Sequence, residues 1–438
     1  MTNSTTNRTS GTIGSHGGIG TGGASGGGVD LGRFKAKADW AKLPLFNRSK
    51  WQRVRFGDVV ENLNETADPA EAGIERFIGL EHMEQDSLHI RNWGNVADGT
   101  TFTRRCRPGQ VLFGKRRAYQ RKVAVAEFDA VVSGDIYLFA PKNGRLLPGL
   151  LPFLCMSERF YQFAVETSAG SLSPRTNWSQ LMQFEFALPP LDQQRRIAEL
   201  LLAVDESIET ASANLDLLSS LKQAAMEEYT LFGKPVESHG AEAPTYLVRR
   251  LGDVATTCQY GLSRPLSEGG RYPILRMMNY DEELVAATEL KYADMPAEVA
   301  AVFKVQKGDI LFNRTNSADS VGKAGIFDLD GCYLFASYLV RVQTDRSLLQ
   351  PEFLNYHLNS RHGQIAVRAF ATPGVSQSNI SAGNLKKVEV PVPSIRDQET
   401  VVTKLKEIAS AYRTARAHVP MQHAMILTFV NAIFGGQP

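Results

Sequence analysis

A chain of 438 residues has room for about three domains, and 43% hydrophobic with 21% charged residues is the make-up of a protein with real cores. No apolar stretch reaches the roughly 18 residues of a membrane span, the N-terminus lacks the apolar segment of a secretory signal, and Cys106, Cys155, Cys258 and Cys332 lie far apart without a CxxC pair; this excludes a zinc ribbon or disulfide framework and fits a reducing cytoplasm. The net charge is only +2, so a nucleic-acid surface would have to be local.

Residues 1–33 form a Gly/Ser-rich tail that cannot bury enough apolar surface to offset its backbone entropy, and disorder is expected there. Its Gly18-Ile-Gly20-Thr-Gly22-Gly23 run is a formal GxGxxG match, but a phosphate-cradling turn needs a strand before it and a helix after it, and neither is present. Beyond the tail the chain repeats itself. Gly170 to Gln194 aligns without a gap on Gly374 to Gln398, an offset of 204, with Leu181/Leu385, Glu185/Glu389, Pro189/Pro393 and Gln194/Gln398 identical. Phe184-Glu185-Phe186 and Val388-Glu389-Val390 share the alternation of a half-buried strand, and each copy then meets proline and turns helical. Upstream, Trp51 to Asp58 matches Tyr246 to Asp253, and Pro108 to Phe113 matches Lys307 to Phe312. The organisation read from this is a first globular unit at 46–190, a helix at 191–233, a linker at 234–245, a second unit at 246–395 and a second helix at 396–434. The fold class is α+β: two duplicated α/β domains, each followed by a long helix.

The helices show their partner in their spacing. Ile197, Leu201, Val204, Ile208, Ala211, Leu215 and Leu218 recur in steps of four and three, the seam of a coiled coil. Val401, Leu405, Ile408, Tyr412 and Ala415 repeat it at the same offset until Pro420, which is expected to interrupt the helix. Two equivalent stripes at the ends of duplicated units are expected to pair with each other.

Candidate DNA contacts begin at Arg104 to Lys122. Arg104, Arg105, Arg107, Lys115, Arg116, Arg117, Arg121 and Lys122 fall in nineteen positions without an acidic residue; mutual repulsion of that kind makes most sense beside phosphates. Tyr119 and Gln120 sit within the run and could stack or reach base edges. In the second unit Arg314, Thr315, Asn316 and Ser317 follow a strand-like segment, with Lys323 soon after, and these side-chain types read guanine, adenine and phosphate oxygens. The polar loops at Ser173 to Asn177, containing Arg175, and Ser376 to Asn379, containing Gln377 and Asn379, occupy equivalent places before the closing strand. A solvated basic loop and ordinary turn chemistry are the competing readings.

No constellation for catalysis is recognisable. A base methyltransferase needs an Asn/Asp-Pro-Pro-aromatic motif, whereas Pro189-Pro190 follows Leu188. Walker A, GxSxG and HExxH patterns are absent. His357 and His362 read as surface or core residues, and the cysteines as small core residues.

Taken together, the paired segments LPPLDQQRRIAELL (Leu188–Leu201) and VPVPSIRDQETVVTKL (Val390–Leu405), with GQVLFGKRRAYQRKVAVAEFDAVVSGDIYLF and GDILFNRTNSADSVGKAGIF, resemble the specificity subunit of type I restriction–modification enzymes over about residues 46–434. The resemblance implies a non-catalytic, cytoplasmic DNA reader of host defence, with each unit a target recognition domain for one half of a bipartite site and the helices packed antiparallel as a spacer with pseudo-two-fold symmetry. It also implies partners: double-stranded DNA, two methyltransferase subunits docked on the spacer, and restriction/translocase subunits. No cofactor is expected in this chain; S-adenosylmethionine, ATP and magnesium belong on those partners. The glycine-rich tail and Pro420 depart from the pattern. The alternative reading is a duplicated coiled-coil adaptor that binds proteins and has no role in DNA modification.

Overall fold

The computed structural model describes residues 47–232, 246–317, 320–373 and 377–435. The tail expected to be disordered, the linker at 234–245 and Ser376 lie outside the described residues.

Each repeat is closed by its own two ends. Strand Gln52–Arg55 pairs antiparallel with Glu185–Leu188, and Leu247–Arg250 pairs in the same way with Glu389–Val392, so that Val54 faces Phe186 and Arg249 faces Val390. The alternation fixes this register, because a one-residue slip would turn buried Phe186 or Val390 outward. Between the closing strands both units use one sheet order. In the first it runs Val60–Leu63, Ile136–Pro141, Val111–Gly114, Val123–Val125; in the second it runs Ala255–Tyr260, Leu339–Thr344, Ile310–Asn313, Ala324–Ile326, with two short strands added. Each unit has a further small sheet built on a parallel pair, Arg76–Ile78 with Ala130–Val132 and Tyr272–Leu275 with Leu334–Phe335. Phe56, Phe113, Phe139, Phe160 and Phe184 form an aromatic core in the first unit, with edge and tilted contacts at ring separations such as 5.1 Å for Phe160–Phe184 and 5.3 Å for Phe56–Phe139.

The long helices span Leu191–Phe232 and Ile395–Phe434. A buried glutamine common to both repeats anchors each start. Gln194 Nε2 donates to the carbonyls of Arg145 and Pro189 (both 2.8 Å) while its Oε1 accepts from the Leu147 amide (2.9 Å). Gln398 does the same with the carbonyls of Leu348 and Pro393 (both 2.9 Å) and the Gln350 amide (2.7 Å). All three polar functions are satisfied, which is what allows an amide to be fully buried.

The helices run antiparallel: Ser207 meets Gln422, and Lys222 lies 4.5 Å from the Tyr412 ring. Each therefore starts in its own unit and ends in the other. Ile426, Val430, Ile433 and Phe434 join the core of the first unit, while Ala225 and Met226 join that of the second. Ile197, Leu201, Ile208, Val401 and Leu405 are fully buried at the packed ends, whereas Val204, Leu215 and Ile408 are half-buried. Pro420 does not interrupt the second helix, contrary to expectation. It sits on an exposed face, where water can take up the Arg416 carbonyl that has lost its amide partner, and packing on both sides holds the rod.

Ionic clasps tie each unit to its own helix. In the first, His89 Nδ1 lies 2.7 Å from Glu127 and its Nε2 3.1 Å from Asp205, while Arg91 bonds Glu209. In the second, Arg416 bonds Asp281 and Glu282 (2.8 Å to the latter), and Lys222 reaches across from the first helix to Glu282 (2.7 Å) and Glu283 (2.6 Å). The hydrogen bond to Asp205, opposed by burial and helped by Glu127, raises the His89 pKa from 6.5 to about 9. A folded-state pKa above the unfolded one contributes stability that is complete below about pH 6.5 and is lost as pH rises through about 9. Thermal denaturation is expected to show the melting temperature falling between pH 7 and pH 10, and His89→Gln to flatten that part of the profile; an unchanged slope in the variant would assign the effect elsewhere.

Candidate nucleic-acid interface

The basic run is not without counter-charges, as its local sequence implied. The fold supplies acids from elsewhere in the chain. Arg105 pairs with Asp129 (2.8 Å) and Arg107 with Glu65 (2.6 Å). Arg121 lies between Asp86 (2.8 Å) and Glu158, its guanidinium 4.7 Å from the Tyr161 ring centroid. Lys122 donates to the Leu80 carbonyl (2.7 Å) and Arg104 to that of Ile136 (2.8 Å). Repulsion along the run is thereby relieved, and its members divide: Arg105 and Arg107 belong to an exposed ionic network on the smaller sheet, and Lys115 to Gln120 to a loop beyond strand Val111–Gly114.

That loop has an unusual backbone. Arg117 and Arg121 both adopt φ of 54°, the left-handed region, on either side of a single 3-10 turn, Ala118–Gln120, that leaves Tyr119 55% exposed. Non-glycine residues take this conformation at a cost, and the surroundings must hold them there. Here the Arg117 amide donates to the Pro174 carbonyl (2.8 Å) and the Thr176 amide to the Lys115 carbonyl (2.8 Å), so the loop is sewn to the hairpin Ser168–Ala169/Arg175–Thr176. Lys115 rests 4.9 Å from the Tyr137 ring centroid, and burial with the nearby Arg104 charge lowers its pKa. Arg116 bonds Ser173 Oγ (3.1 Å) and approaches Asp135 (3.4 Å), to which Arg175 also donates (2.9 Å).

The second unit repeats the arrangement with other side chains. Thr315 and Asn316 pair with Asn379 and Ser378, and the Ile380 amide donates to the Arg314 carbonyl (2.8 Å). Arg314 lies 4.8 Å from the Tyr260 ring centroid and donates to Asn379 Oδ1 (2.9 Å) and the Ser337 carbonyl (3.3 Å). Ser317 and Gln377 are exposed. Lys323 stands apart, lining the cleft with Lys222, Glu282 and Glu283 at the helix junction. Both units thus bring the stretch after one central strand against the loop before the closing strand. Sequence reasoning did not nominate Asp135, Tyr260 or Tyr338. The tyrosines are 41% and 47% exposed beside Arg314, and neither lies in a polar run that would have flagged it.

Among the described residues no group of three or more His, Cys, Asp or Glu side chains is placed to hold a metal, and no helix is long and apolar enough to cross a membrane. Cys106 and Cys155 are core residues, but Cys258 is half-buried and Cys332 exposed, which corrects the reading of all four as core. His357 is buried, and burial lowers its pKa to about 4; exposed His362 pairs with Glu227 (3.1 Å).

The family model of the type I restriction modification DNA specificity domain matches twice, over residues 48–218 and 245–416. The chain belongs to this family. Each match takes in one globular unit and the first part of the helix that follows it, about two thirds of the first helix and just over half of the second. The specificity chain is 25% identical over 280 residues to the type I restriction enzyme EcoKI specificity subunit of Escherichia coli K12, covering 60% of each chain. It is 25% identical over 175 residues to the putative MjaX specificity subunit of Methanocaldococcus jannaschii, covering 39% of this chain and 41% of that one. The matched regions therefore span about two fifths to three fifths of those relatives' length. The fold is shared with the S subunit of a type I system from M. genitalium (TM-score 0.58, 12% identity, 91% of this chain and 99% of that one). It is shared too with a chain from a structural study of type I complex assembly and conformational transition (TM-score 0.54, 18% identity, 88% and 98%). The family's description is one of DNA specificity and not of catalysis.

Proposed function

We propose that this specificity chain is the DNA-reading subunit of a type I restriction–modification complex, non-catalytic by itself, with each globular unit binding one half of a bipartite duplex site. The observation that carries the reading is the repeated juxtaposition of a central-strand loop and a hairpin, which gathers Lys115, Arg116, Tyr119 and Arg175 in one unit and Arg314, Thr315, Asn316 and Asn379 in the other. Cations and amide side chains held on a stiff backbone suit phosphate positioning and base readout. The adaptor reading accounts for the paired helices but not for this repeated polar site.

The helices act as a spacer. Because each rod is anchored at its start by Gln194 or Gln398 and at its end in the opposite core, the two reading surfaces stay a fixed distance apart. Two methyltransferase subunits dock along this spacer, restriction/translocase subunits join them in the cytoplasm, and S-adenosylmethionine, ATP and magnesium are bound on those partners. This chain orients and selects; it moves no proton and breaks no bond.

Exchanging residues 246–391 for the second unit of another family member tests this. Methylome sequencing of cells carrying the hybrid system is expected to show one half-site replaced and the other, with the spacing, retained. A change in both half-sites, or in neither, would defeat the assignment of one half-site to each unit.

A further inference from the structure

The arginines of the first unit differ in what they leave free. Arg116 is engaged on both terminal nitrogens, by Ser173 and Asp135, and its Nε is buried without a partner. Arg175 gives Asp135 only its Nε, 2.9 Å from Oδ1; its two terminal nitrogens make no hydrogen bond among the described residues, and the side chain is 55% exposed. Asp135 itself is only 20% exposed and fixed through its backbone, its carbonyl accepting from the Lys115 amide (2.9 Å) and its amide donating to Ser133 Oγ (3.2 Å). Burial pushes its carboxyl pKa up, but the bonds from Arg175 and Arg116 outweigh that and hold it below the ordinary carboxylate value, so it is ionised when DNA arrives.

A guanidinium gripped at Nε with both terminal nitrogens outward is a fork of fixed direction. Guanine offers two acceptors, O6 and N7, on one major-groove edge at a matching separation. A phosphate would also accept the fork, but a carboxylate beside a phosphate-binding arginine works against the contact by adding a negative charge. Asp135 makes sense where direction matters more than net charge. We propose that Arg175, positioned by Asp135, reads a guanine in the half-site bound by the first unit.

This inference rests on the DNA-reading role proposed above. It is confined to one half-site, because the second unit carries Asn379 at the place of Arg175 and Tyr338 at the place of Asp135: Asn379 pairs in the hairpin as Arg175 does, and the Tyr338 carbonyl accepts from the Arg314 amide as that of Asp135 does from Lys115.

The test is selection from a library of duplex oligonucleotides with randomised positions by the purified full-length chain, followed by sequencing of the bound fraction. The wild-type chain is expected to show a strong guanine preference at one position of one half-site. Arg175→Lys keeps the charge and removes the fork, and should lower that preference by about tenfold or more while leaving the other half-site unchanged. Asp135→Ala removes the acceptor that grips Arg175 Nε and should lower it too, yet raise affinity for non-cognate duplex, since a negative charge beside the DNA backbone is gone. A simple loss of folding would lower both. If Asp135→Ala does not fold, the exposed Arg175→Lys variant decides alone. A guanine preference that survives in either folded variant, or a loss spread over both half-sites, overturns the proposal but not the DNA-reading role. A wild-type chain that selects no sequence overturns both.

Discussion

Phe434→Ala is expected to destabilise the first globular unit by about 3–5 kcal/mol, although more than two hundred residues separate this side chain from the unit it supports. Phe434 is 3% exposed and lies with Ile426, Val430 and Ile433 in the core that contains Phe160 and Leu154. The helix end is held there by polar contacts as well: Arg48 donates to the carbonyls of Ala432 (2.7 Å) and Ile433 (2.9 Å), and Asn431 Oδ1 accepts from the Glu158 amide (2.8 Å). These bonds keep the rod seated while the ring is removed, so a cavity remains instead of a collapse, which puts the cost toward the upper part of the range. Met226→Ala is the matching change at the other end, with about 2–5 kcal/mol expected for the second unit. Hydrogen exchange resolves the two: protection should fall in residues 52–188 for Phe434→Ala and in 247–392 for Met226→Ala. Equal losses in both units, or losses confined to the helix carrying the substitution, would mean that the helix ends do not complete the opposite cores.

The second large effect is expected at Lys222. Its side chain is 7% exposed and its ammonium is shared by Glu282 and Glu283, the latter 6% exposed at its side chain. Lys222→Met keeps the stem's volume and removes the charge. Glu282 retains Arg416 (2.8 Å), but Glu283 is left with no cation, and its second carboxylate oxygen has no partner even in the intact protein. An uncompensated buried charge costs about 3–5 kcal/mol. Lowering the pH should reduce the deficit, because protonation neutralises the stranded carboxylate, whereas in the wild-type chain Glu282, despite burial, is held below its ordinary pKa by Lys222 and Arg416 and loses that stabilisation as pH falls. Urea unfolding at pH 7.5 and 5.5 would show wild type and variant converging on acidification. A deficit under about 1 kcal/mol at pH 7.5, or one that grows with acid, would contradict the buried-pair account.

The duplicated frame was legible because the parts that fix it are local patterns: alternating strands before proline, a repeated glutamine and a stripe at coiled-coil spacing. Each translated directly into a register, an anchor and a buried face. The electrostatics of the basic run were not legible. Glu65, Asp86, Asp129 and Asp135 reach Arg107, Arg121, Arg105 and Arg116 only after strands from distant segments pair, and a window of nineteen residues contains none of them. Pro420 failed as a helix breaker for a similar reason: local propensity disfavours it, but the packed ends of a long rod outweigh one lost backbone bond. Tyr260 stayed hidden because an exposed aromatic acquires meaning only from the guanidinium beside it, and Tyr338 because its link to Arg314 runs through its backbone carbonyl.

The clasps on the two helices are of opposite polarity. The first unit offers His89 and Arg91 to the acids Asp205 and Glu209; the second offers Asp281 and Glu282 to Arg416. At the repeat offset, Ala409 and Arg413 stand where Asp205 and Glu209 do, and Ser212 stands where Arg416 does. A first unit seated on the start of the second helix would set cations beside Arg413, and a second unit seated on the start of the first helix would set acids beside Asp205 and Glu209. Two nearly equivalent halves in one chain invite each rod to nest with the wrong body during folding, and that mistaken threading would leave like charges face to face in a partly desolvated seam. The duplication has thus diverged into a plug and a socket of opposite sign at each junction, which disfavours the exchanged assembly.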